Sequence, residues 1–142
     1  MAKQTISRWP VPPTDWPEHL RQDFRDGAGR GLVGSRLVSE SERVRVWALS
    51  LKPGERIGFH THVLDYFWTA VTGGRARSHY ADGHIAEVSY EPGDTKHHTF
   101  PGGEFMIHDL ENIGETELTF TTVEFLDSAN SPLIIPNTAR LS

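Results

Sequence analysis

The chain predicts an all-β fold, an antiparallel sandwich or barrel with an extended N-terminal arm. Three observations carry that expectation. Short β-branched and aromatic segments recur from residue 32 to residue 125, with turn signals between them. Gly and Pro are abundant, at 13 and 9 in 142 residues, which favours many turns. Before residue 32, the stretch WPVPPTDWP at 9–17 holds four prolines and two tryptophans. Such a composition excludes a helix interior or a central strand.

The elements follow in order. Residues 9–17 read as an arm whose tryptophans need a surface, either their own barrel or a second subunit. Residues 18–25 fit about two turns of helix, with Asp15 as a cap. The glycines of DGAGRGLVG then end it. Segment 43–51, RVRVWALSL, alternates and stops at Pro53-Gly54. Segment 56–60 leads into a histidine pair. Segment 66–72 is aromatic and stops at Gly73-Gly74. Segments 75–80 and 85–90 flank Asp82-Gly83, a hairpin signal. Segment 105–112 sets Met106, His108, Leu110 and Asn112 on one face. Segment 117–126 is the last strand. We divide the chain into an arm with a short helix (1–30), a barrel (31–128) and a tail (129–142).

Composition narrows the function classes. There are 14 Lys+Arg against 19 Asp+Glu, a formal net charge of −5. With no basic run, nucleic acid is a poor partner. There is no cysteine, hence no disulfide framework and no thiolate metal site. No apolar run approaches the ~20 residues of a membrane span. The opening MAKQTISRW lacks the apolar centre of a secretory signal. The expectation is a cytoplasmic protein.

The chemistry concentrates in His60-Thr61-His62. Two histidines one residue apart on a strand point the same way. His108, on a face with Met106 and Leu110, is the candidate third ligand, from a distant strand. Imidazole suits Zn, Fe, Cu and Ni, with Mn where oxygen ligands join. An inward histidine also serves as an ordinary hydrogen-bonded core residue, so the histidines alone leave metal binding at even odds.

The surrounding residues resemble the cupin family. Its first motif runs from a glycine through His-x-His and a glutamate to a second glycine. In PGERIGFHTHVLDYFWTAVTGG, Gly54, His60, His62 and Gly73 fall at the family spacing. The second motif runs Gly, Pro-x-Gly, His, Asn. In PGDTKHHTFPGGEFMIHDLENIG, Gly93, Pro101, Gly103, His108 and Asn112 match in order, with longer gaps before Pro101 and His108. The resemblance covers roughly 31–128. It implies a double-stranded β-helix, or jelly roll, with a metal in the barrel mouth held by His60, His62 and His108. Tyr66 stands at the glutamate position and Asp65 one residue before it. Either Asp65 is a shorter carboxylate ligand, or the site is three-histidine with Tyr66 lining it. Cupin-type dioxygenases include three-histidine iron centres.

The resemblance therefore implies one divalent transition metal, iron foremost, with Mn, Ni or Zn as alternatives. It implies a small organic substrate and a dioxygenase-type oxidoreductase. The alternatives are a metal-dependent isomerase or decarboxylase, a non-catalytic small-molecule binder, and a barrel merely stabilised by its metal. Tyr66 and His98 are the candidate catalytic residues. His97 and His98 point to opposite faces of a strand, so at most one enters the barrel. The candidate substrate pocket takes Trp68, Met106 and Arg77, the last as a bidentate carboxylate grip if its face is inward. A homodimer braced by the 9–17 arm is expected.

Overall fold

The computed structural model describes residues 2–136. The last six residues of the predicted tail lie outside them. One helix and nine strands follow in order: α1 (Glu18–Gly27), β1 (Arg36–Glu40), β2 (Val44–Leu51), β3 (Arg56–His62), β4 (Tyr66–Ala70), β5 (Gly74–His79), β6 (Ile85–Tyr90), β7 (Thr95–His98), β8 (Met106–Asn112) and β9 (Leu118–Phe125). They form two sheets ordered β1-β2-β9-β4-β7 and β3-β8-β5-β6. Every strand pair is antiparallel. The fold is all-β, a double-stranded β-helix.

Alternation builds the core of the first sheet. In β2 the buried set is Arg45, Trp47, Leu49 and Leu51. In β9 it is Leu118, Phe120, Thr122 and Glu124. Both sets face inward, as a period of two requires. Leu49, Leu51, Ala70, Ala76, Leu118 and Phe120 pack as one apolar floor. Asn112 closes that end. Its Nδ2 donates to the carbonyls of Leu51 at 2.9 Å and Thr116 at 2.8 Å, and its Oδ1 accepts from Gly114 N–H.

The second sheet is covered on its outer side by α1 and the arm. Phe24, Phe59 and Ile107 form a buried cluster against Trp9, Trp16 and Leu20. Trp16 stacks on Phe59 at 5.5 Å, and Trp9 meets Phe105 edge-on at 5.0 Å. The arm's tryptophans thus find their cover on their own barrel. The expectation that this arm braces a partner loses that support. Asp15 does not cap the helix either: Pro17 holds the N-cap position and no side chain bonds there.

The register of β3 against β8 slips between Ile57 and His60. Ile57 faces Leu110 and His60 faces His108, so three steps on β3 match two on β8. This is one extra residue, a bulge. It puts both Ile57 and His60 on the inner face, which strict alternation forbids. The bulge leaves Phe59 N–H without a strand partner. Asp23 of α1 takes it up, its Oδ2 accepting at 3.0 Å. The same carboxylate accepts from Arg56 at 2.7 Å. A Cβ on Gly58 would sit 2.9 Å from the Asp23 carboxylate, so a side chain there would push that acceptor aside.

A second clamp holds Thr61. Its hydroxyl donates to Gly27 O and accepts from Gly29 N–H, each at 2.9 Å. Its N–H donates to Arg30 O at 2.8 Å. Gly27 has no room for a side chain, since a Cβ would stand 2.0 Å from Phe59 O.

Asp23→Ala should therefore destabilise the barrel by about 1–3 kcal/mol, the cost of an orphaned N–H and a lost charged partner. Asp23→Asn, which can still accept from Phe59 N–H, should recover part of that loss. Denaturant unfolding of the two variants checks the order. Equal losses would remove the bulge contact from the account.

Candidate metal centre

His60 and His62 come from β3 and His108 from β8. One ring nitrogen of each lies within 4.8 Å of the others. The Nε2 atoms of His62 and His108 are 3.2 Å apart. The Nδ1 of His60 contacts the Gly58 carbonyl at 2.9 Å. A carbonyl only accepts, so Nδ1 carries the proton and a neutral His60 keeps its lone pair on Nε2.

Burial lowers the pKa of all three imidazoles, and the neighbouring histidines lower His62 and His108 further. They are held neutral, the state a metal ligand needs. The Nδ1 atoms of His62 and His108 are buried without a partner. Four ring nitrogens in these two residues thus share one contact. A cation accepted by both Nε2 lone pairs would use that geometry better than a hydrogen bond, which satisfies only one donor. The donor set fits a divalent transition ion: three neutral imidazoles and no carboxylate among the described residues at the cluster.

Ring packing substitutes for hydrogen bonds in orienting these side chains. His62 stacks on Tyr66 at 4.2 Å, and Tyr66 stacks in turn on His98 at 4.8 Å. His108 lies 5.5 Å from Tyr80. On the far face of β8, Asp109 is fully buried and locks the strand in place. It accepts from Arg56 Nε at 2.9 Å, from His79 N–H, and from His79 Nδ1 at 3.0 Å.

The histidines open onto a cavity of about 390 Å³, within the range of small-ligand sites. The inner face of the first sheet, part of which walls the cavity, is built in transverse ranks. One rank runs Arg45, Glu124, Tyr66, His98 across β2, β9, β4 and β7. The next runs Trp47, Thr122, Trp68, Lys96. The third, Leu49, Phe120 and Ala70, is the apolar floor. Trp68, Tyr90 and Phe120 meet edge-on at the bottom.

The sequence-derived site residues divide accordingly. Tyr66, Trp68, His98 and Met106 line the cavity with the three histidines. His97 points away and packs against Phe67. Asp65 is not brought to the histidines. Its carboxylate accepts from Phe100 N–H at 2.8 Å, and its own N–H donates to Ser128. It pins the turn entering β4 and is absent from the ligand cluster. Arg77 is also displaced from its expected role. Ala76 and Ser78 are buried on the opposite face of β5, and Arg77 pairs with Glu87 at 3.0 Å and with Glu111 on the outer surface. Tyr80, Lys96 and Glu124 were missed. Tyr80 shares parity with Ser78, so its inward direction follows once the arginine face is known to be outward.

This double-stranded β-helix with a three-histidine cluster at one end of its cavity is that of a small cupin. Solved structures agree. The chain is similar to a cupin domain of Bordetella pertussis, at 26% identity and a TM-score of 0.54, over 61% of this chain and 85% of that one. A double-stranded β-helix protein of Klebsiella pneumoniae follows at 23% and 0.52, over 66% and 76%. An RmlC-like cupin family protein of Methanocaldococcus jannaschii stands at 18% and 0.51, over 63% and 76%; these last two likenesses are of fold. No family model and no curated protein matches the sequence.

Glu124 is buried behind Tyr66. Trp47 Nε1–H donates to it at 2.7 Å. Burial nevertheless pushes its carboxyl up to about 7 from 4.5, against the pull of that bond and of Arg45. The folded chain then holds a proton that the unfolded chain has released, so stability falls as pH rises from about 4.5 to about 7. Glu124→Gln keeps an acceptor for Trp47 and should remove this loss, gaining up to about 3 kcal/mol over wild type at pH 8 and little at pH 4.5. Unfolding midpoints at the two pH values check it; a variant no better at pH 8 would contradict the raised carboxyl.

Proposed function

We propose that the chain is a metal-dependent oxidoreductase of dioxygenase type, acting on a small chelating organic acid with iron as its metal. The observation that carries the reading is the convergence of three buried neutral imidazoles on an aromatic-walled cavity, with no carboxylate among the described residues at the cluster. His60, His62 and His108 would hold the ion. When bound, such an ion polarises coordinated oxygen and brings substrate and dioxygen together. Neutral ligands leave its full positive charge facing the cavity. That charge favours an anionic chelator over a neutral one.

The chain's own groups suit that substrate. The Tyr66 phenol is pushed well above its ordinary range by burial. It stays protonated and can donate its O–H to a bound oxygen. Burial lowers the pKa of His98, so its ring is neutral at pH 7 and can accept a substrate proton. Trp68, Tyr90 and Phe120 exclude water from the far end. A homodimer and a cytoplasmic setting belong to the same proposal. The first is supported by the exposed Ile85 on edge strand β6, the second by the lack of cysteine.

Metal analysis of wild type, His60→Ala and His108→Ala tests the ligand set. Each variant should lose most of the bound metal, and full retention in both would overturn the set. Iron-loaded wild type should then consume oxygen with small chelating acids. Binding of such acids without turnover would instead support a binding module.

A further inference from the structure

We propose that Lys96 forms an anion subsite in the cavity, and that the ligand is a small aromatic acid whose carboxylate lies at the end remote from its metal-chelating oxygens. This deepens the functional reading above and rests on it for the chelating end only.

Lys96 is the only Lys or Arg among the residues lining the cavity. It stands opposite Trp68 in the pairing of β4 with β7, and so shares the inner face that carries Tyr66 and His98. Among the described residues no carboxylate pairs with it, although Arg75, Arg77, Arg56 and Arg45 are all paired. Asp94, the sole carboxylate of the lining, is committed to its own turn, accepting from Glu91 N–H at 2.8 Å. An ammonium placed at an otherwise aromatic wall with no partner is a site for a ligand anion.

The ranks set the ligand's length. Lys96 lies two residues along β7 from His98, or about 7 Å at 3.3–3.4 Å per residue. His98 stacks on Tyr66, and Tyr66 on His62 of the metal cluster. The cluster lies two ring spacings from His98, 4.8 and 4.2 Å across the sheet, and the flexible Lys96 side chain reaches back over part of that span, so one substituted aromatic ring fits between its ammonium and the histidines. Beside and below that span the lining offers Trp68, Tyr90, Phe120 and Leu110, with Thr122 and Ser78 as its nearby hydroxyls, a surface that suits a ring better than a chain of hydroxyls. The carboxylate grip expected of Arg77 therefore falls to Lys96, on the neighbouring sheet's edge strand.

The probes are 3,4-dihydroxybenzoate, a chelating catechol with a remote carboxylate, and its neutral amide. Calorimetric titration into the full chain loaded with redox-inert zinc, without oxygen, should show the acid binding at least about tenfold tighter, the scale of one charge-assisted hydrogen bond. Lys96→Met should remove most of that preference, leaving the part owed to the metal's charge, and Lys96→Arg should keep it. Lys96 is exposed at the cavity edge, so its substitution leaves the core intact. Equal binding by wild type, a preference undiminished in Lys96→Met, or no binding of either compound would each overturn the subsite. The same titration without zinc separates the two readings. A Lys96-dependent preference of unchanged affinity in the metal-free chain upholds the subsite and counts against the metal. Affinity that depends on zinc and not on Lys96 does the reverse.

Discussion

The bulge at Gly58 and Phe59 leaves one backbone N–H outside the strand ladder, and the Asp23 carboxylate of α1 takes it up. The direction of the metal-facing histidines depends on that contact. With the extra residue in β3, Ile57 still packs into the apolar floor while His60 turns into the cavity. Without it, one of the two would face the helix. His60 then has its tautomer set by Gly58 O, a carbonyl within the same bulge. Two residues on, His62 shares the face, and Thr61 between them is held from outside by Gly27, Gly29 and Arg30. The arm and helix act as the rear support of the histidine strand.

Inside, the site is shaped by what is missing. With no carboxylate in the cluster among the described residues, desolvation prevails: the Gly58 carbonyl, Asp109 and Asp23 offset it only in part at His60, and all three are kept uncharged. The position where a carboxylate would be expected carries Tyr66, whose ring joins the sheets by stacking between His62 and His98. The nearest carboxylate across that rank is Glu124, one strand further back, its carboxyl pushed up to about 7 so that it carries only part of its charge near neutrality. Positive charge brought by a metal would therefore meet a cavity with aromatic walls and a single lysine, Lys96.

Much of this was legible in the residues. Alternation in 43–51 and 117–126 placed the two central strands of one sheet, and the turn glycines placed the ends of others. Parity paired His60 with His62, and the resemblance of the flanking residues to the cupin motifs joined His108 to them. What escaped was set by contacts across the sheets. Strand β7 is only four residues of TKHH, a polar run with no apolar alternation, so its edge position and the inward face of Lys96 carry no local signal. Glu124 hides in a strand whose pattern reads polar at that position, because only the Trp47 bond and the barrel interior reveal its burial. Asp65 beside Tyr66 invited a ligand reading. The chain entering β4 spends that carboxylate on Phe100 N–H instead. Arg77 was ambiguous for a simple reason: parity fixes which residues share a face and not which face is inward.

Three neutral imidazoles converging through their Nε2 atoms make the metal centre. Nitrogen-15 NMR of the histidine rings at pH 7, before and after one equivalent of zinc, tests this directly. Before zinc, His60, His62 and His108 should all be neutral, with His60 protonated on Nδ1. After zinc, the Nε2 resonances of these three should shift together while His79, His84 and His97 stay in place. A protonated ring among the three before zinc, or a zinc response centred on other histidines, would contradict it.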